Sequence, residues 1–176
     1  MAKLLWVDLE MSGLDVEKEV IIECAVVVTD MEFTALDTFH AVIKQPKKYL
    51  EGMDDWNKKH HKESGLIDQV PKGTDPERVE DELCHLLDKH FSNERAIIAG
   101  NSIAQDRLFI NRHFKKFSSR LHYRMLDVSS WKIIFKEKYN ISYEKKNAHR
   151  ALDDIQESIN ELKHYLKFLR PSELVS

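Results

Sequence analysis

Leu4-Leu5-Trp6-Val7-Asp8-Leu9-Glu10-Met11-Ser12-Gly13-Leu14-Asp15 starts as an apolar run of strand length and turns at Ser12-Gly13. Near its end stand two acids, Asp8 and Glu10, two residues apart. Side chains of a strand alternate between faces, so both carboxylates leave the sheet on one side and Leu9 on the other. Neighbouring anions at the end of an apolar strand repel each other and lose hydration, which is costly without a compensating cation. A strand that frays early and leaves both acids in water is the ordinary alternative, and this stretch alone does not choose between them.

The remaining composition narrows the field. A chain of 176 residues suffices for one domain with a substantial core, and a single domain over 1–176 is expected. With 42% hydrophobic and 32% charged residues it has the makeup of a soluble globular protein. The formal charge of -3 and pI near 6.3 give no overall positive field to draw in a long polyanion. That argues against tracking along lengthy DNA or RNA. Cys24 and Cys84 lack metal-type spacing and are expected as buried thiols in a reducing cytosol. There is no signal-peptide pattern and no run of membrane-spanning length, so a cytoplasmic protein without membrane partners is expected.

Residues 20–29 are β-branched and nearly continuous, which reads as a strand buried on both faces. After a turn at 30–32, residues 33–44 alternate enough to pair back as a third strand. Three strands followed by helices point to a mixed sheet. In the irregular stretch 47–76, residues 53–66 read as a short helix closed by Gly65. It carries Trp56 and the cationic run Lys58, Lys59, His60, His61 and Lys62. Trp56 suits a core anchor as well as a base-stacking group, and the run suits a solvated face as well as phosphate contacts.

Val79, Leu83, Leu86, Leu87 and Phe91 recur at helical spacing, and residues 96–99 read as a short buried strand. Ser102 is placed to N-cap the next helix. At about 100° per residue, Ile103, Phe109, Ile110, His113, Phe114 and Phe117 share one face of it, with Asp106 in the middle. A buried acid needs a partner: a salt bridge, with Arg107 for example, or metal or catalytic duty alongside Asp8 and Glu10. Residues 123–128 read as the last strand, followed by a helix from Ser129 or Ser130 to about Tyr139. The final segment, 148–169, has a stripe of Leu152, Ile155, Ile159, Leu162, Leu166 and Leu169. Asp153 projects almost opposite that stripe and Asp154 lies on its flank, which makes Asp154 the candidate ligand. His149, five residues before Asp154, is expected in the loop ahead of the helix, free to reach a substrate.

Asp8-x-Glu10, then Asp106, then His149-x4-Asp154 resemble the signature of the DEDDh 3′-to-5′ exonucleases. The resemblance is stronger for the oligoribonuclease branch of that family. It is carried by Trp6-Val7-Asp8-Leu9-Glu10-Met11-Ser12-Gly13-Leu14-Asp15, Gly100-Asn101-Ser102-Ile103-Ala104-Gln105-Asp106-Arg107, His122-Tyr123-Arg124-Met125-Leu126-Asp127-Val128-Ser129 and His149-Arg150-Ala151-Leu152-Asp153-Asp154-Ile155-Gln156-Glu157-Ser158. The departures are Ser12, where the family more often has threonine, and the approach Lys145-Lys146-Asn147-Ala148 to the histidine.

The resemblance implies an α/β, ribonuclease H-like (DnaQ-like exonuclease) fold, a mixed five-stranded sheet flanked by helices, and a homodimer. Asp8, Glu10, Asp106 and Asp154 would make a hard oxygen cage for two divalent cations, Mg²⁺ or Mn²⁺, too rich in oxygen to suggest zinc. Two such ions would clamp the attacking and leaving oxygens of an in-line displacement, with His149 taking the proton from the attacking water. The implied substrates are very short oligoribonucleotides, down to dinucleotides, cut from the 3′ end to nucleoside 5′-monophosphates. Leu14 would wedge against the bases, Trp56 stack on one, and Ser102, Arg124 and Ser129 cap the 5′-phosphate, with His61 near the site. Tyr123 matches a tyrosine that reaches the catalytic site from the other subunit. Ordinary packing or exposure is the alternative for each of these, and only Arg124 has an obvious reason to seek phosphate. Two further readings stand beside this one. A DEDDh exonuclease of longer RNA or DNA is opposed by the missing basic bias. A non-catalytic nucleotide-binding protein on the same fold is opposed by the presence of all five catalytic positions.

Overall fold

The computed structural model describes residues 2–92, 94–144 and 150–169. Five strands, β1 (Leu4–Met11), β2 (Ile21–Thr29), β3 (Ala35–Val42), β4 (Ala96–Gly100) and β5 (Leu121–Asp127), form one sheet in the order β3-β2-β1-β4-β5. β1 pairs antiparallel with β2, and β2 with β3, whereas β1–β4 and β4–β5 are parallel, so the sheet is mixed as expected. Between β3 and β4 run the short helices α1 (Lys47–Gly52), α2 (Asp55–Glu63) and α3 (Leu66–Gln69), a 3-10 turn, and the long α4 (Pro76–Phe91). α5 (Ile103–His113) and α6 (Lys115–Ser119) join β4 to β5; α7 (Val128–Tyr139) and α8 (Ala151–Leu166) follow.

The period of two along β1 sorts its side chains between two layers. Leu5, Val7 and Leu9 pack with Val79, Leu83, Phe109, Ile110 and Phe117 on the side of α4, α5 and α6. Leu4 and Trp6 pack with Val128, Ile155, Ile159 and Leu162 on the side of α7 and α8. Each such aliphatic side chain contributes about 1.5–3 kcal/mol through burial. Trp6 is fully buried and donates its indole N–H to Thr29 Oγ1 at 3.0 Å, which satisfies the ring's polar atom inside the core. β2 is buried along its whole length, as its composition predicts. Cys24 is buried and Cys84 half-buried, both as free thiols. Among the described residues no helix is long and apolar enough to cross a membrane.

Several expected boundaries move, each for a local reason. The helix read over 53–66 begins at Asp55, because Asp54 accepts from Asn57 N–H at 2.8 Å and caps it, while Met53 turns into the core. Gly65, at φ +72°, closes it as expected. The helix after β4 stops at His113; Phe114, at φ -123° and ψ 68°, breaks it, and Phe117 reaches the same core from α6. Ser102 occupies the N-cap position in a left-handed conformation, but its side chain makes no capping bond. β5 starts two residues earlier than read, at Leu121, and Asp127 caps α7 by accepting from Ser129 N–H. α8 is shorter than 148–169, and Ala148 lies outside the described residues. Leu152 and Leu169 are exposed, while Ala151, Ser158, Glu161 and Tyr165 are buried, so the inward face is rotated relative to the leucine stripe.

Candidate metal centre and its surroundings

Asp8 and Glu10 follow Trp6 on the α8 side of β1, half-buried, with Leu9 buried on the other side. There they meet Asp154, in the first turn of α8. One carboxylate oxygen from each of the three residues lies within 4.8 Å of the others. The rotated inward face of α8 brings Asp154 closer to the sheet and leaves Asp153 exposed. Asp106 arrives from the opposite layer. Its side chain is 7% exposed, and Oδ1 accepts the Leu9 N–H at 3.0 Å. β1 pairs with β4 only around Leu5 and Trp6, and β4 ends at Gly100, so this stretch of β1 needs a partner from elsewhere. Arg107 is not that acid's partner; it donates to the His122 carbonyl instead. Asp106 thus stands beside the three clustered acids with one oxygen committed to β1.

The cluster is electrostatically strained. Burial, then the charges of Asp154, Glu23 and Asp106, raise the Glu10 pKa to about 8, against a smaller lowering by Arg150. Burial also raises Asp106 to about 7, opposed by its bond from Leu9 and helped by the charge of Asp127. An all-oxygen donor set crowded enough to hold protons near neutrality suits a hard divalent cation, which would relieve the repulsion. The residues present therefore fit such an ion.

Cation binding is accordingly expected to release protons. The folded pKa of Glu10, about 8, lies above its reference value of 4.5. Between those limits the folded state holds a proton that the unfolded chain has lost, so metal-free stability falls as pH rises through this window. Calorimetry of Mn²⁺ binding at pH 7, in buffers of different ionisation enthalpy, should report uptake by the buffer of about one proton. A binding enthalpy independent of buffer would refute this.

The other residues singled out from sequence surround this centre unequally. His61 is 2% exposed; its Nε2 lies 2.9 Å from the Met11 carbonyl, and its Nδ1, without a hydrogen-bond partner, lies 3.9 Å from Glu10 Oε2. This contact docks α2 onto the end of β1. Trp56, on the same helix, is no core anchor: it is 67% exposed and stacked on His60. Leu14 is 76% exposed on a pinned loop, where Ser12 Oγ donates to Glu19 at 2.5 Å and Gln105 Nε2 donates to the Leu14 carbonyl at 3.0 Å. The Ser102 and Ser129 hydroxyls lie 3.1 Å apart, and Ser129 Oγ also accepts the Ser102 N–H. Asn101 backs this pair, accepting from Ser129 Oγ and donating to Ser158 Oγ and Glu161 Oε2 of α8.

Tyr123 and Arg124 project from edge strand β5, with Tyr123 stacked on His122 and the Arg124 guanidinium 5.4 Å from the Tyr123 ring. Among the described residues no hydrogen bond or ion pair joins Arg124 to Ser102 or Ser129 within this chain. His149 and its approach, 145–148, lie outside the described residues. A cleft of about 970 Å³ opens elsewhere, rimmed by Lys44, Lys47, Lys58, Lys59 and Lys62; none of the four acids lines it.

Sequence reasoning passed over Glu23 and Arg150. Glu23 is fully buried in β2 and binds Arg150 at 2.6 Å. The signal was available: an acid inside a run read as buried on both faces is the same kind of exception as Asp106.

A family model described as "Exonuclease" (RNase_T) matches residues 5–162. The chain is 42% identical to a protein named oligoribonuclease from Shewanella putrefaciens, over 92% of each chain. It is 40% identical to one named oligoribonuclease, mitochondrial, from Homo sapiens, over 93% of this chain and 71% of the relative. Among solved structures, E. coli exonuclease I in complex with a dT13 oligonucleotide superposes with a TM-score of 0.74 at 15% identity. That match covers 99% of this chain but 43% of the exonuclease, so it speaks for the fold alone.

Proposed function

Because the chain belongs to the exonuclease family, in its oligoribonuclease branch, we propose that it is a 3′-to-5′ exoribonuclease that hydrolyses very short RNAs, dinucleotides above all, to nucleoside 5′-monophosphates. The observation that carries the reading is the convergence of Asp8, Glu10 and Asp154 within 4.8 Å at the end of β1. Exposed Leu14 and Trp56 stand on the segments adjoining it, the loop after β1 and helix α2.

In this reading Asp8, Glu10 and Asp154, with Asp106 beside them, would hold two divalent cations, Mg²⁺ or Mn²⁺. Bound there, they would supply charge stabilisation for the in-line displacement at the phosphodiester. His149 takes a proton from the attacking water. Trp56 offers its face to a base, worth about 1–3 kcal/mol, and Leu14 wedges against the bases. Ser102, Ser129 and Arg124 bind the 5′-phosphate, and His61 sets the floor between α2 and the acids.

Tyr123 reaches the site of a second copy, which makes the working form a homodimer. Exposed Leu108, Met125, Ile133 and Ile134, on α5, β5 and α7, support that assembly as apolar groups seeking cover. We place the protein in the cytoplasm. A capped 5′ end would also explain how an RNA enzyme works without a net positive charge.

The reading is tested by product analysis on 5′-phosphorylated RNAs of two to seven nucleotides with Mn²⁺. Nucleoside 5′-monophosphates, formed fastest from the dinucleotide, are expected; equal rates at all lengths, or preference for DNA, would favour the general exonuclease. A charge-assisted contact to phosphate contributes about 1.5–3 kcal/mol, roughly ten- to a hundredfold in affinity. Arg124→Ala should weaken a 5′-phosphorylated dinucleotide by that factor at fixed salt and a seven-residue RNA far less. Equal losses at both lengths would make Arg124 a general affinity or folding residue.

A further inference from the structure

Glu23 stands directly opposite Glu10 in the β1–β2 ladder, so the two carboxylates leave the sheet side by side toward α8. Glu10 joins Asp8 and Asp154, whereas Glu23 turns to other partners. Its Oε1 accepts from Arg150 Nε at 2.9 Å and Nη2 at 2.6 Å and lies 2.7 Å from His40 Nε2. Its Oε2 accepts the Ala151 N–H at 3.3 Å. Burial opposes the Glu23 charge, but His40, Arg150 and the Ala151 amide outweigh it and bring the pKa down to about 2.

Arg150 is therefore a charged guanidinium on the doorstep of the acid cluster. It is half-buried, it interacts electrostatically with both Glu10 and Asp153, and its carbonyl accepts the N–H of Asp154. A forked cation pairs readily with carboxylates and can compete with a metal for them. Left without Glu23, it would compete for the site from inside the protein.

We infer that Glu23 is a positioning residue that holds Arg150 out of the acid cluster, keeping it open to a divalent cation while fastening the start of α8 that carries Asp154. This rests on the reading of Asp8, Glu10 and Asp154 as cation ligands. A merely structural ion pair would cost stability when broken, but cation affinity would not then depend on whether Arg150 is present.

The test is calorimetric titration of Mn²⁺ into metal-free wild type, Glu23→Gln, Arg150→Gln and the double variant, with a thermal melt of each. Glu23→Gln should bind Mn²⁺ at least about tenfold more weakly, because freed Arg150 neutralises the cluster. Arg150→Gln should bind at least as tightly as wild type. The double variant, with a neutral pair in place of a buried ion pair, should fold and bind within about threefold of Arg150→Gln. Wild-type affinity in Glu23→Gln, or a double variant as weak as Glu23→Gln, overturns the inference. Should Glu23→Gln fail to fold, Glu23→Asp, which keeps the charge but withdraws it from Arg150, takes its place, and wild-type Mn²⁺ affinity in that variant overturns the inference. A further loss of about tenfold from Arg150→Gln to the double variant also refutes it, because Glu23 would then act without Arg150. A wild type that binds no Mn²⁺ overturns the cation reading itself and this inference with it.

Discussion

Asp154→Asn is expected to lower turnover by about three orders of magnitude or more, while Asp153→Asn leaves it within about threefold. The two acids are neighbours in sequence with the same charge, so only their placement separates them. One helical step of about 100° puts Asp154 beside Asp8 and Glu10 and leaves Asp153 in solvent. Losing an anionic ligand removes several kcal/mol of charge stabilisation at the reacting phosphate, and each 1.36 kcal/mol or so is tenfold in rate. Asparagine keeps the shape, and the Asp154 N–H bond to the Arg150 carbonyl is backbone, so folding should be retained. Steady-state rates on a 5′-phosphorylated dinucleotide with saturating Mn²⁺ measure both variants. Reversed effects would mean that Asp153 is the ligand.

His149→Ala should cut turnover by about two to four orders of magnitude, the usual size of a general-base contribution. Cation affinity should survive, because the carboxylates carry it. His149 immediately precedes Arg150, which is fastened to Glu23 through its guanidinium. Calorimetry combined with single-turnover rates separates the possibilities. Lost Mn²⁺ affinity in His149→Ala would turn the histidine into a ligand, and an unchanged rate would remove it from the reaction.

Much of this was legible along the chain because the geometry involved is local. The alternation of β1 sets Leu5, Val7 and Leu9 against one layer and Leu4 and Trp6 against the other, and it sends Asp8 and Glu10 to one side whatever the sheet pairs with. The mixed sheet followed from three strands in a row ahead of the helices. Boundaries were less legible where a single residue decides. Asp54 starts α2, and Phe114 ends α5, without disturbing the apolar periodicity around them. The residues around Trp56 favoured burial, the commoner fate of a tryptophan, and only the family resemblance, which has it stack on a base, pointed to the exposed ring.

By itself the sequence determined which acids share a face, which of two adjacent aspartates turns toward the sheet, and which family the ordered blocks belong to. Each depends on a repeat of two or 3.6 residues, or on matching residues in order. The tertiary structure decided the partners. Asp106 takes the Leu9 amide from 97 positions away because β4 ends too early to reach it. Glu23 meets Arg150 because α8 crosses the sheet where β2 faces β1. Ser102 gives its backbone N–H to Asp127 and Ser129, since β5 runs beside β4 and delivers them there. No residue spacing encodes such meetings; they exist only once burial of the two apolar layers has brought distant segments together.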